Sequence, residues 1–131
     1  MILADTHAWI FYLDSPSNLS TRAQRALNRE VKTGGRIGIS AISLWEIGYL
    51  EKRGRLSLSQ PLDEWIGLGL QLSFVTVLAV DGSVAQEAAR LPDVHRDPAD
   101  RFILATARLQ DVAVVSADKR FADYPGVKVV W

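Results

Sequence analysis

Four acidic residues stand where their neighbours are apolar or where a strand ends: Asp5, Glu46, Asp100 and Asp118. Asp5 follows the apolar run Ile2-Leu3-Ala4, and Asp118 follows a second such run at residues 112–115. Glu46 shares a helical face with Ile42, Tyr49 and Leu50, and Asp100 shares one with Ile103, Leu104 and Ala107. An ionised carboxylate on a core-facing stripe is costly unless a cation, a donor or a metal answers it. Two carboxylates about 4 Å apart repel by roughly 1 kcal/mol in water and about 4 kcal/mol at an effective dielectric near 20. Gathering three or four of them therefore calls for protons or a divalent cation. Ligands that are all oxygen select a hard ion, Mg²⁺ or Mn²⁺. The chemistry natural to such a site is phosphodiester hydrolysis by a metal-activated water.

Each acid also has an ordinary structural reading. Asp5 can cap the helix that follows it. Asp97, directly before Pro98, suits the N-cap of the helix carrying Asp100, with Pro98 at the first helical position, and can support the ligands from behind. Glu46 can pair with a buried arginine, Asp100 with Arg96 or Arg101, and Asp118 can cap a short turn. Thr6 and Ser116 can orient a water or serve as local caps. His7 and His95 read as structural or solvent-facing. Trp45, beside Glu46, is expected in the core or at a subunit contact.

The elements that must position these residues follow from the hydrophobic pattern. Residues 2–4, 37–39, 74–78, 112–115 and 127–130 read as strands, the first apolar enough to be buried on both faces and the third rich in β-formers. Helical patterns occupy residues 8–13, 20–31 (Ser20 as cap), 40–53 (Ser40 as cap, Gly54 as stop), a stretch opened by Pro61, 81–90 and the helix after Asp97. Strands alternating with helices imply an α/β domain with a parallel sheet covered on both faces. In such sheets the ligand crevice lies beyond the carboxyl ends of the strands. Asp5, Glu46, Asp97, Asp100 and Asp118 all fall at that edge, whereas Asp14, Asp63, Asp111 and Asp123 fall in loops or at far helix ends.

The chain has 131 residues, 48% hydrophobic and 23% charged, which suits one globular domain over residues 1–131. The absence of cysteine excludes disulfides and thiolate metal sites, and two histidines leave little room for zinc. Zero net charge removes any overall basic field, so a polyanion must be held by local patches or through metal ions. Arg22, Arg25, Arg29 and Lys32 share one helix side, which reads as a solvated surface. The four residues before Asp5 are too few for a signal peptide, and the longest apolar run, residues 66–80, is broken by polar residues and glycines. The expectation is a cytoplasmic protein without a membrane span.

Taken in order, Asp5-Thr6, Ser40-Ala41-Ile42-Ser43-Leu44-Trp45-Glu46, Asp97-Pro98-Ala99-Asp100-Arg101-Phe102-Ile103-Leu104-Ala105-Thr106-Ala107 and Ser116-Ala117-Asp118 resemble the PIN-domain family, and more closely its VapC-type toxin ribonucleases. The resemblance covers essentially the whole chain. It implies a PIN-like three-layer α/β/α fold with a parallel sheet of four to five strands. It also implies an Mg²⁺- or Mn²⁺-dependent endoribonuclease whose metal ligands and catalytic acids are Asp5, Glu46, Asp100 and Asp118. A homodimer inhibited by a small antitoxin protein is implied as well. Thr6 matches the small polar residue after the family's first acid, and His95-Arg96-Asp97 resembles a branch whose loop is acidic and histidine-bearing. The neutral charge departs from more basic members. Arg96, Arg101 and Lys119 are candidates for contact with the RNA backbone, or else surface charges.

Two other classes of function compete. Phosphotransfer to an aspartate gains from Asp5 and Lys119, but Asp5-Thr6-His7 lacks a second aspartate two residues on and no lone acid ends the third strand. Trapping an aspartyl-phosphate with a phosphate analogue would favour it. A non-catalytic binding module has no reason to keep buried carboxylates, and it predicts no stabilisation by Mn²⁺.

Overall fold

Residues 1–94 and 96–131 are described by a computed structural model; the expectations attached to His95 lie outside them. Strand β1 (Ile2–Ala4) is buried along its length, and its side chains divide by the two-residue period of a strand. Ile2 and Ala4 enter one apolar cluster and Leu3 the other. β2 (Ile37–Ser40) repeats the pattern, with Ile37 and Ile39 on the Ile2 side. On its opposite side Gly38 leaves space that a Cβ would have to contest at 3.1–3.3 Å with Leu78, Met1 and Leu3. Together with β3 (Val75–Leu78), β4 (Val114–Val115) and β5 (Val129–Val130) these form a five-stranded parallel sheet, ordered β3-β2-β1-β4-β5. The last two strands are shorter than the sequence pattern predicts.

Helices α1 (Thr6–Asp14), α2 (Thr21–Lys32) and α4 (Leu62–Gln71) cover one face, where Trp9, Leu27 and Trp65 pack on Ile37, Ile39 and Val115. Helices α5 (Gly82–Arg90) and α6 (Pro98–Gln110) cover the other, where Val84, Ile103 and Leu104 meet Leu3 and Val114. Helix α3 (Ala41–Lys52) contributes Ile47 to the first cluster and Ile42 to the second, so it stands at the border of the layers. The α/β/α arrangement is the one the sequence implies.

The strand order places a switch between β1 and β4. From β1 the chain builds outward through β2 to β3, then returns to lay β4 on β1's other side. Crossovers diverge there, which opens a crevice beyond the strand ends. Asp5 stands on one lip, its N–H bonded to the Val115 carbonyl at 3.0 Å, and Ser116 begins the other.

Side-chain caps set several helix starts: Ser20 accepts from Ala23 N–H, Asp81 from Val84 N–H and Asp97 from Ala99 N–H. Ser40 holds the N-cap position of α3, but its side chain makes no cap bond. As the last residue of β2 it is directed by the strand's alternation, and among the described residues its Oγ is the buried side-chain oxygen without a hydrogen-bond partner. Pro61 takes the cap position of α4, and the helix proper begins at Leu62. Asp14 braces the first face by accepting from Ser59 N–H (2.9 Å), Ser59 Oγ (2.7 Å) and Trp65 Nε1 (2.8 Å). Burial pushes its carboxyl up, and these donors outweigh it to hold the group below its ordinary value.

Arg101 is a clamp of the α5–α6 connection. Its guanidinium donates to the carbonyls of Ala88 (2.9 Å), Leu91 (2.7 Å) and Pro92 (2.9 Å), with Asp93 at 3.4 Å. These donors face the loop that orders the start of α6. Arg101→Ala is expected to destabilise the protein by about 2–3 kcal/mol, the scale of a few charge-assisted bonds partly replaced by water. Urea denaturation measures it, and an unchanged midpoint would show that the clamp is dispensable.

Candidate active site

At the carboxyl edge of the sheet a cleft of about 350 Å³ is lined by Asp5, Thr6, His7, Glu46, Asp97, Asp100, Ala117 and Asp118. Residues scattered over most of the chain are joined there by the switch point. Asp5 closes β1 and caps α1, its Oδ1 accepting from Ala8 N–H at 2.7 Å, so the capping role and the site role fall on one carboxylate. Glu46 comes from the inner side of α3 and is 8% exposed. Asp100 lies in the first turn of α6, three residues beyond the cap that Asp97 forms.

Burial and mutual repulsion act on three of these carboxylates. Burial pushes the Asp5 carboxyl above its ordinary value, against the Ser116 hydroxyl and the Ala8 N–H, which favour the charged form. Burial also raises Glu46, with Thr6 opposing and the charges of Asp97 and Asp5 adding to the rise. Asp100 is pushed up to about 7, first by burial and then by the surrounding carboxylates of Asp97, Glu46, Asp5 and Asp118. Among the described residues, no lysine or arginine lines the cleft.

Asp118 differs from the other three. Its carboxylate meets Arg120 in a two-pronged pair, with Nε at 3.0 Å from Oδ1 and Nη2 at 2.7 Å from Oδ2. It also caps the 3-10 turn Lys119–Asp123 by accepting from Arg120 N–H. The sequence carries a local signal for this in the Asp-x-Arg spacing, which the reading of Asp118 as a turn cap anticipates only in part.

The small polar residues form a buried frame. Thr6 Oγ1 donates to Ser43 Oγ at 3.0 Å, linking the start of α1 to α3. Ser116 Oγ accepts from Asp118 N–H at 3.1 Å. Sequence reasoning passes over Ser43, although its place three residues before Glu46 puts it on the same helix face. His7, read from the sequence as structural or solvent-facing, is exposed and lines the cleft two residues after Asp5. Arg96 and Lys119 are exposed.

Trp45 is not a core residue. It is 58% exposed and stacks on Tyr49, itself 39% exposed. The inward side of α3 is centred on Ser43, Glu46 and Ile47. Residue 45 is turned about 100° from Glu46 by the helical repeat and so faces out.

An oxygen-only donor set without sulfur and with surplus negative charge fits a hard divalent cation. Among the described residues no three acidic or histidine side chains are drawn together into a ready-made ion cage. An open cleft of separated carboxylates suits an ion that keeps several of its own waters, as Mg²⁺ does, rather than a closed structural site.

A parallel sheet with this switch point and acids on both lips defines the class. The chain belongs to the PIN-domain family, whose model matches residues 2–127. Among particular proteins, it is 31% identical over 134 residues to Ribonuclease VapC22 of Mycobacterium tuberculosis (strain ATCC 25618 / H37Rv), a match covering 99% of this chain and 98% of that protein. Its fold is similar to that found in VapBC2 from Rickettsia felis bound to a DNA fragment from their promoter, with a TM-score of 0.71 at 17% identity, over 98% of this chain and 97% of that one. The DNA-bound VapBC from Salmonella typhimurium gives a TM-score of 0.65 at 24% identity, over 98% and 97% of the two chains. A toxin–antitoxin complex from Klebsiella pneumoniae gives 0.65 at 22% identity, over 97% and 95%.

Proposed function

We propose that this chain is a divalent-metal-dependent endoribonuclease, the toxin of a toxin–antitoxin pair, with Asp5, Glu46, Asp100 and Asp118 as metal ligands and catalytic acids. The observation that carries the reading is one cleft lined by five carboxylates and, among the described residues, by no lysine or arginine, with Asp100 pushed up to about 7. A scaffold does not accumulate such repulsion without an ion to relieve it. The ribonuclease name of the 31%-identical relative supports the substrate. The likeness to toxin–antitoxin complexes supports an antitoxin protein as partner. A homodimer and a cytoplasmic location belong to the same proposal; among the described residues no helix is long and apolar enough to cross a membrane.

A bound Mg²⁺ or Mn²⁺ supplies charge neutralisation at the phosphate and an acidified water. The chain's own residues do the rest. Asp5 is held by the Ala8 N–H and Glu46 by its burial on α3, so both carboxylates are in place before substrate arrives. Asp97 fixes the start of α6 and with it Asp100. Thr6 and Ser116 hold the first helix and the loop after β4 in register, and their hydroxyls lie beside Glu46 and Asp5. Arg96, Arg101 and Lys119 are assigned to the RNA backbone, with Arg96 and Lys119 exposed beside Asp97 and Asp118. The phosphotransfer alternative needs an acid at the end of the third strand, where β3 ends in Leu78.

The test is incubation of the purified protein with a randomised single-stranded RNA pool. Fragments are expected with Mn²⁺ or Mg²⁺, absent with chelator and restored when the ion is returned. A pool left intact under every metal condition would overturn the reading.

A further inference from the structure

Beside the acid cleft lies a second opening of about 460 Å³, and the two share His7, Glu46 and Asp97 as lining. Its remaining wall carries Trp45, Tyr49 and Arg55. We propose that this opening is a nucleotide subsite, in which Trp45 stacks on an unpaired base adjoining the bond that is cut and Arg55 faces the phosphate of that nucleotide. The inference rests on the endoribonuclease reading and deepens it.

Trp45, Tyr49 and Arg53 follow one another at four-residue spacing and form a ladder along α3. The two rings stack with centroids 5.0 Å apart at 23°, and the Arg53 guanidinium lies 4.5 Å from the Tyr49 centroid. This ladder holds the indole in one orientation before anything binds, so little side-chain entropy remains to be lost. A flat ring left 58% exposed at the mouth of a polar cleft suits another flat ring better than an aliphatic side chain. The charge pattern points the same way. The acid cleft repels a polyanion wherever no metal sits, and Arg53 and Arg55 place positive charge on the adjoining side, where a nucleotide's phosphate needs it. The opening is also within the size range of small-ligand sites. Its continuity with the acids is what favours a piece of the RNA over a protein partner.

The test uses the Asp5→Asn protein, so that a labelled single-stranded RNA of mixed sequence is bound and not cut. Trp45→Ala in that background is expected to weaken binding by about ten-fold, the scale of one lost base stack, and Trp45→Phe to restore most of it. In the cleaving protein Trp45→Ala is expected to raise KM with kcat little changed. Binding and KM that are indifferent to Trp45→Ala would overturn the subsite. So would a shift in sedimentation with no change in RNA binding, which would assign Trp45 to a contact between protein chains. A wild-type protein that cuts no RNA, yet binds it in a Trp45-dependent way, would remove the nuclease reading and leave the subsite standing.

Discussion

Asp5→Asn is expected to lower metal-dependent RNA cleavage by on the order of 10²–10³-fold or more while the protein stays folded. The substitution separates the two roles that fall on one carboxylate. As a cap, Asp5 accepts from Ala8 N–H at 2.7 Å, and an asparagine oxygen accepts that bond about as well. As the proposed metal ligand, it needs the full negative charge that the amide lacks. Burial already disfavours that charge in the metal-free protein, so neutralising it carries no stability penalty. Asp5→Ala removes both functions and is expected to cost about 1 kcal/mol more, the ordinary value of an N-cap. Initial cleavage rates with Mn²⁺ and thermal melts of the two variants measure the difference. Undiminished cleavage by Asp5→Asn would leave Asp5 as a cap and remove the core of the mechanism.

The metal-free protein is expected to lose stability as pH rises from about 4 to about 8, and Mn²⁺ to reverse the loss. Asp100 moves from an ordinary value of 3.8 to about 7 on folding, through burial first and neighbouring carboxylates second. Between those values the folded state holds more protons than the unfolded one, so the free energy of unfolding falls with rising pH. The full rise is worth about 4 kcal/mol at 1.36 kcal/mol per unit, and about 1–3 kcal/mol once partial solvent access is allowed for. Asp5 and Glu46 are raised in the same direction and steepen the trend. An ion at a hundred times its Kd adds about 2.7 kcal/mol, and its effect is largest at high pH, where protons no longer compete with it. Urea titrations from pH 5 to pH 8, with chelator and with Mn²⁺, give both slopes. Asp100→Asn should flatten the chelator curve and raise its high-pH end. Stability that is level with pH, or that climbs toward pH 8 without metal, would show that the acids are answered within the protein.

Asp118 meets Arg120 at 2.7–3.0 Å. That pair is exposed, and such pairs contribute little to stability, so the arginine can give way to a cation or a phosphate.

Much was legible from residue order because it depends on neighbours a few positions away. The caps at Ser20, Asp81 and Asp97, the apolar strands, the alternation of strands with helices and the acids marooned on apolar stripes are all local patterns, and helical or strand periodicity converts them directly into faces. The strand order β3-β2-β1-β4-β5, which brings Asp5 beside Ser116 and Asp118, depends on which strand the returning chain pairs with. No local pattern contains that choice. The exposure of Trp45 and the clamp made by Arg101 were decided in the same way: periodicity tells which residues share a side of a helix, while packing decides which side meets solvent, and a guanidinium reaches whatever carbonyls the neighbouring loop presents. The rise of Asp100 belongs to tertiary structure above all: Asp97 is a near neighbour in sequence, while burial and the charges of Glu46, Asp5 and Asp118 act only once folding has set the distances between them.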